Sequence, residues 1–180
     1  MTAGGFYLTI IWGRMNPAGK HFFQQTEDRI FMSSETVIQG QRVVTDGQDL
    51  AEKAEEWKAA GITDVTVVVN TFNYTRYKES NDGKELQPVI DGINKAVGAG
   101  LNIRLDVALK EGFNDDEILD FLQLTLMHRY DIVFLPTIDY GIIREKMPLL
   151  RPVEGDFGDV EMYKYAVARG RIGFLKNRGQ

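Results

Sequence analysis

Arg104 and Asp106 stand two residues apart in the run "NIRLDVAL" (102–109). Side chains alternate along a strand, so both point to the same sheet face. A carboxylate among apolar neighbours must be paired or must take up a proton more readily than usual. The pair therefore lines a pocket or forms a structural ion pair inside a barrel. Lys110 follows the end of the same run. A carboxylate, a guanidinium and an amine together could run general acid–base chemistry of the lyase or isomerase kind, given a pocket that tunes them. Thr45 and Asn70 end two other apolar runs, and Asp46-Gly47 follows the first. Parallel α/β folds bind ligands at strand C-terminal ends. Asn, Asp and Gly also serve tight turns and caps, and that reading stays open for these positions.

Other chemistries are excluded by composition. The 180 residues contain no Cys and two His, His21 and His128. Disulfides, thiolate zinc sites and Cys-ligated iron–sulfur clusters cannot form from this chain. Neither histidine has a second at helical spacing, so no zincin-type site and no metal site is expected. No G-x-G-x-x-G or P-loop pattern occurs, and no cofactor is expected. The net charge is −5, without the basic stripe that phosphate contacts require, so no nucleic-acid partner is expected. The locally basic "ARGRIGFLKNR" reads as a solvated tail. No apolar run reaches the ~20 residues that span a bilayer, and the first residues lack a signal-peptide layout, so no membrane association and a cytoplasmic location are expected.

These residues need elements to position them. "FYLTIIW" (6–12), "VVT" (43–45), "DVTVVVN" (64–70), "NIRLDVAL" and "DIVFLPT" (131–137) read as strands, with "RIFM" (29–32), "TVIQ" (36–39) and "RIGFL" (171–175) as weaker ones. Between them "DLAEKAEEWKAAG", "LQPVIDGINKAVGAG" and "NDDEILDFLQLTLMHR" carry apolar residues at helical spacing. The first two close on Gly61 and Gly100, good helix stops. In the third, Asn114 and Glu117 have the spacing of a capping box. The alternation predicts an α/β chain with a mostly parallel sheet, one domain over 1–180, and a long loop over 139–159.

From Val43 to about Thr137 the chain resembles the radical S-adenosylmethionine superfamily, and in particular its GTP 3′,8-cyclases of molybdenum-cofactor biosynthesis. The resemblance rests on "VVTDGQDLAEKAEEWKAAGITDVTVVVNT", "YKES", "VIDGINKAVGAGLNIRLDVALKEGFNDDEILDFLQLT" and "DIVFLP". It implies a partial or incomplete (β/α) barrel, with Thr45, Asn70 and Arg104 at positions that face the cofactor in the family. The family also places a C-x3-C-x2-C loop after its first strand. "MNPAGKHF" has that frame with Met15, Gly19 and Phe22 at the three ligand positions, which makes 1–42 a degenerate cluster-loop region. A thioether, a hydrogen and a phenyl ring cannot replace three thiolates. Other departures agree with this. The Gly-Gly-Glu-Pro strand end is missing, with "SSET" (33–36) as its one remnant, and Val68 stands where the family has a polar cofactor contact.

The favoured expectation is a cysteine-less, non-catalytic protein that binds a small-molecule ligand or a partner on a truncated scaffold, with Thr45, Asn70, Arg104, Asp106 and Lys110 as candidate binding residues. The alternative is a cluster-independent barrel enzyme using Asp106, Arg104 and Lys110. Removal of cysteines by engineering is a third reading, for which Met, Gly and Phe are odd replacements. A full barrel takes ~250 residues. A shorter one leaves an open edge, so a homodimer is expected.

Overall fold

The computed structural model describes residues 36–176. The runs at 6–12 and 29–32, and Met15, Gly19 and Phe22, lie outside the described residues. Eight strands form one sheet: β1 (Val37–Gln39), β2 (Arg42–Thr45), β3 (Asp64–Val68), β4 (Asn102–Val107), β5 (Asp131–Phe134), β6 (Arg151–Pro152), β7 (Val160–Lys164) and β8 (Arg171–Leu175). Their spatial order is β1-β2-β3-β4-β5-β8-β7-β6. Strands β2, β3, β4, β5 and β8 run parallel. Antiparallel β1 flanks one side, and β7 with β6 the other. Among the described residues the sheet stays open, which makes the architecture a partial (β/α) barrel. Neighbouring parallel strands follow each other in the chain from β2 to β5, as in a barrel.

Among the described residues five α-helices accompany it: α1 (Leu50–Ala59), α2 (Tyr74–Ser80), α3 (Gln87–Gly98), α4 (Ile118–Met127) and α5 (Tyr140–Lys146). Helix α1 buries Leu50, Ala54 and Trp57, a stripe at i, i+4, i+7. Both expected glycine stops operate. Gly61 and Gly100 adopt φ of +86° and +79°. After α1, the Ile62 and Gly61 amides donate to the Trp57 and Lys58 carbonyls; after α3, the Leu101 and Gly100 amides donate to Ala96 and Val97. Each is a Schellman closure, and each turns the chain straight into the next strand. All five helices pack on one sheet face, in a core with Val43, Val65, Val67, Ile103, Leu105, Ile132, Phe134, Ile172 and Phe174.

Three expectations are corrected. The segment 139–159 is not a plain loop. It holds α5 and β6, because Asp139 caps α5 by accepting from the Gly141 amide at 2.8 Å and Ile143 and Met147 are buried. The segment "ARGRIGFLKNR" is not a solvated tail over 171–175: "RIGFL" is the strand that its weak pattern suggested, a full member of the parallel sheet beside β5, with Ile172 and Phe174 buried. The capping box at Asn114 does not form. A 3₁₀ turn (Asp115–Glu117) precedes α4, and neither side chain caps it.

Candidate functional site

Register assigns each candidate to a face. Val44, Thr66, Arg104, Asp131 and Arg171 stand side by side across β2, β3, β4, β5 and β8. Val68, Asp106, Val133 and Gly173 form the next row in the C-terminal direction. Both rows lie on the face that carries no described helix. Arg104 and Asp106 thus share a face, as their spacing predicts. Arg104 Nε donates to Asp106 Oδ1 at 2.5 Å and Nη2 to Oδ2 at 3.1 Å. The carboxylate is fully buried and the guanidinium 18% exposed. In the Arg104 row, on β5 and β8, Arg171 makes the same two-point contact with Asp131, at 2.8 and 2.5 Å. That hydrogen bond holds the Arg171 guanidinium more basic than usual. Thr66, between Val44 and Arg104, is a buried hydroxyl.

Thr45 is on the other face. Its row partners are Val67, Leu105 and Ile132, all in the helix-side core. Its hydroxyl accepts from the Gly47 amide at 3.1 Å, which is turn chemistry. Gly47 has φ of +82°, and a Cβ there would lie 2.9 Å from Val89, so glycine is required. Asp46 accepts from the Gln48 amide and pairs with Lys84 at 2.9 Å. That hydrogen bond raises the Lys84 ammonium above its ordinary range. Gln48 in turn donates to the buried Tyr77 hydroxyl at 2.9 Å, and burial pushes that phenol upward.

Asn70 has a splicing role. Its Oδ1 accepts from the Ala108 amide at 2.8 Å, two residues beyond Asp106. Fully buried Asn114 completes the junction. Its Nδ2 donates to the Asn70 and Ala108 carbonyls at 2.6 and 3.0 Å, and its Oδ1 accepts from the Lys110 amide at 2.6 Å. Two carboxamides therefore knit the segments that leave β3 and β4. Lys110 is exposed above this junction. The same knot explains the failed capping box. Glu117 is drawn away from its own helix to accept from Thr71 Oγ1 at 2.6 Å, the Phe72 amide at 3.0 Å and Arg76 at 2.8 Å. Arg76 also forks onto Asp116 at 2.7 and 2.8 Å, which holds the Asp116 carboxyl below the usual range.

The sequence reading missed Thr66, the Asp131–Arg171 pair and the Glu117–Arg76 link. Parity could have found the first two: "TVV", "DIV" and "RIG" each place a polar residue in phase with Arg104. Among the described residues no group of three or more His, Asp or Glu could hold a metal ion, and no helix is long and apolar enough to cross a membrane.

Fold and site together define, among the described residues, an open α/β partial barrel with a polar strip on the sheet face opposite its helices. This is the scaffold that the sequence resemblance implies. No family model matches the chain. Curated relatives do. The chain is 30% identical over 151 residues to the GTP 3′,8-cyclase of Peptoclostridium acidaminophilum, covering 74% of this chain and 46% of that protein. It is 41% identical over 100 residues to the GTP 3′,8-cyclase of Listeria monocytogenes (55% and 30%). It is 29% identical over 153 residues to GTP 3′,8-cyclase 2 of Pseudomonas aeruginosa (74% and 46%). The chain is thus related to GTP 3′,8-cyclases, spans less than half the length of each of these three, and contains no cysteine.

Proposed function

We propose that this chain is a cluster-free, non-catalytic relative of the GTP 3′,8-cyclases that binds a small molecule, in the cytoplasm, at the polar strip on the sheet face opposite its described helices. The carrying observation is the combination of a chain without cysteine and a fully buried Asp106 held at two points by Arg104 beside Thr66. A scaffold that needed shape alone could do without that pair, since buried ion pairs are often no better than a hydrophobic filling. Its presence in a buried position supports a use in recognition. The acid–base alternative fits less well. A general base must reach the proton it removes, and both Asp106 oxygens are already occupied by a guanidinium.

GTP is the first ligand to try, since the relatives' names give it as what they cyclise. In isothermal calorimetry the expected result is saturable binding that Arg104→Met weakens at least tenfold, with GTP recovered unchanged. Absence of binding to GTP and to a panel of nucleosides would remove the binding reading. Anaerobic incubation with iron and sulfide is expected to leave no stoichiometric iron and no broad band near 400 nm. Appearance of that band, or conversion of GTP, would overturn the proposal.

A further inference from the structure

Asn114 is fully buried and stands where a helix N-cap would, yet its side chain caps nothing. Its carboxamide is spent on the backbone of two strand exits. Nδ2 donates to the Asn70 carbonyl at 2.6 Å and to the Ala108 carbonyl at 3.0 Å, while Oδ1 accepts from the Lys110 amide at 2.6 Å. An Asn side chain carries two N–H donors, so both are used. The exit of β4 is thereby tied at every second residue. The Asp106 carbonyl accepts from the Val69 amide at 3.2 Å. The Ala108 amide donates to Asn70 Oδ1 at 2.8 Å, and Ala108 O and the Lys110 amide both meet Asn114. From the same turn Glu117 holds Thr71 Oγ1 and the Phe72 amide, so residues 114–117 are anchored on the β3 exit as well.

The two Arg–Asp pairs of the polar strip differ in what holds them. Asp131 and Arg171 are register partners on adjacent strands, so the ladder between β5 and β8 sets their spacing. Arg104 and Asp106 lie two residues apart on one strand, and their fork closes only while β4 stays extended past Asp106. β4 ends at Val107, so the ties on Ala108 and Lys110 begin where the strand stops. A guanidinium–carboxylate fork makes two parallel bonds and is demanding in geometry, and binding constellations need their supporting groups to hold them within about 0.5 Å. We propose that Asn114 is a positioning residue for the polar strip: by clamping the β4 exit to the β3 exit, it holds the Asp106 carboxylate in the two-point contact with Arg104. The use of that contact rests on the reading of the strip as a ligand site, whereas the contact itself can be followed without a ligand.

The Arg104 Nε hydrogen, donated to Asp106 Oδ1, reports the contact in isotope-labelled protein by NMR, with Arg104→Lys to assign its signal. In Asn114→Ala this hydrogen is expected to exchange with solvent at least tenfold faster than in the unaltered chain brought to the same unfolding free energy by urea. Asn114→Asp, which keeps the acceptor and loses both donors, is expected to do the same. The Arg171 Nε hydrogen, donated to Asp131, is expected to keep its rate in both variants. Exchange that rises at both arginines, or at neither, would overturn the proposal, since Asn114 would then only hold the fold. Should neither variant fold, exchange in the unaltered chain at low urea decides. The Lys110 amide and the Arg104 Nε hydrogen are expected to open in one step below global unfolding. An Arg104 hydrogen that stays closed while Lys110 opens, or that opens only with the whole chain, would overturn it. Where the unaltered chain binds GTP, Asn114→Ala is expected to weaken binding at least tenfold, and unweakened binding would count against Asn114. An unaltered chain that binds no nucleotide removes the ligand reading of the strip, and the Arg104 hydrogen still decides the role of Asn114.

Discussion

At the residue scale the decisive contact is the one between Arg104 and Asp106. Removing one partner of a buried ion pair leaves an uncompensated charge and costs roughly 3–5 kcal/mol, whereas replacing both by apolar groups of similar size is often neutral. Arg104→Met is therefore expected to lower unfolding free energy by roughly that amount, and Arg104→Met with Asp106→Leu to recover most of it. Urea titrations of the three chains check this; a single variant as stable as the double would show that Asp106 is not held as a charge. The Arg76–Asp116 pair gives a pH signature of opposite exposure. Asp116 is held below its ordinary value by the hydrogen bond from Arg76. A depressed carboxyl stabilises the fold above its unfolded value, about 3.9, and that contribution is lost as pH falls through the lower folded value. Melting temperatures of the unaltered chain and Asp116→Asn are thus expected to differ at neutral pH and to converge in acid below that value. The Arg104–Asp106 pair was legible from a two-residue spacing, because strand parity is local. The role of Asn70 was not, because its partner Ala108 is 38 positions away.

At the element scale, what could be read from the chain depended on how local the signal was. Gly61 and Gly100 announced two Schellman closures correctly, since the motif spans six residues. Asn114 and Glu117 had the right spacing for a cap and did something else, because Thr71, Phe72 and Arg76 outbid the helix for the same carboxylate. Strand β8 was weakly marked because Gly173 interrupts its pattern, yet glycine is what its neighbours demand there. Helix packing offers a sharp test of the same kind. Gly92 on α3 faces α1: a Cβ would stand 2.7 Å from Leu50 Cβ and 3.1 Å from the Gly47 carbonyl. Alanine is a better helix former by about 0.8–1 kcal/mol, but forcing a methyl into a closed contact costs about 1–3 kcal/mol. Gly92→Ala is expected to be net destabilising, read as a lower urea midpoint. A raised midpoint would mean that α1 and α3 can move apart freely.

At the scale of the whole molecule the open sheet raises the question of what its edges do. The order of strands leaves β1 and β6 as the edges among the described residues. Edge strands present unpaired backbone groups and invite pairing with another chain. The two edges are not equivalent. β6 is two residues long and contains Pro152, which lacks an amide to donate, so that edge is blunted. β1 has three residues, with Ile38 59% exposed. The segment 139–159 was expected to supply a dimer contact or to fold back over its own sheet. Ile143 and Met147 are buried in the helix-side core, whereas Ile142 and Leu149 remain exposed, so the segment folds back in part and keeps an apolar surface of its own. We therefore propose self-association through β1, with the two-fold symmetry that homodimers most often adopt. Size exclusion coupled to light scattering at micromolar concentration is expected to give a mass above the 20.4 kDa of one chain. Ile38→Lys, which places a charge on that edge, is expected to return it to 20.4 kDa without loss of circular dichroism. A monomer at every concentration would sink the proposal. A dimer unmoved by Ile38→Lys would place the contact elsewhere, with exposed Ile142 and Leu149 of the 139–159 segment as the next surface to change.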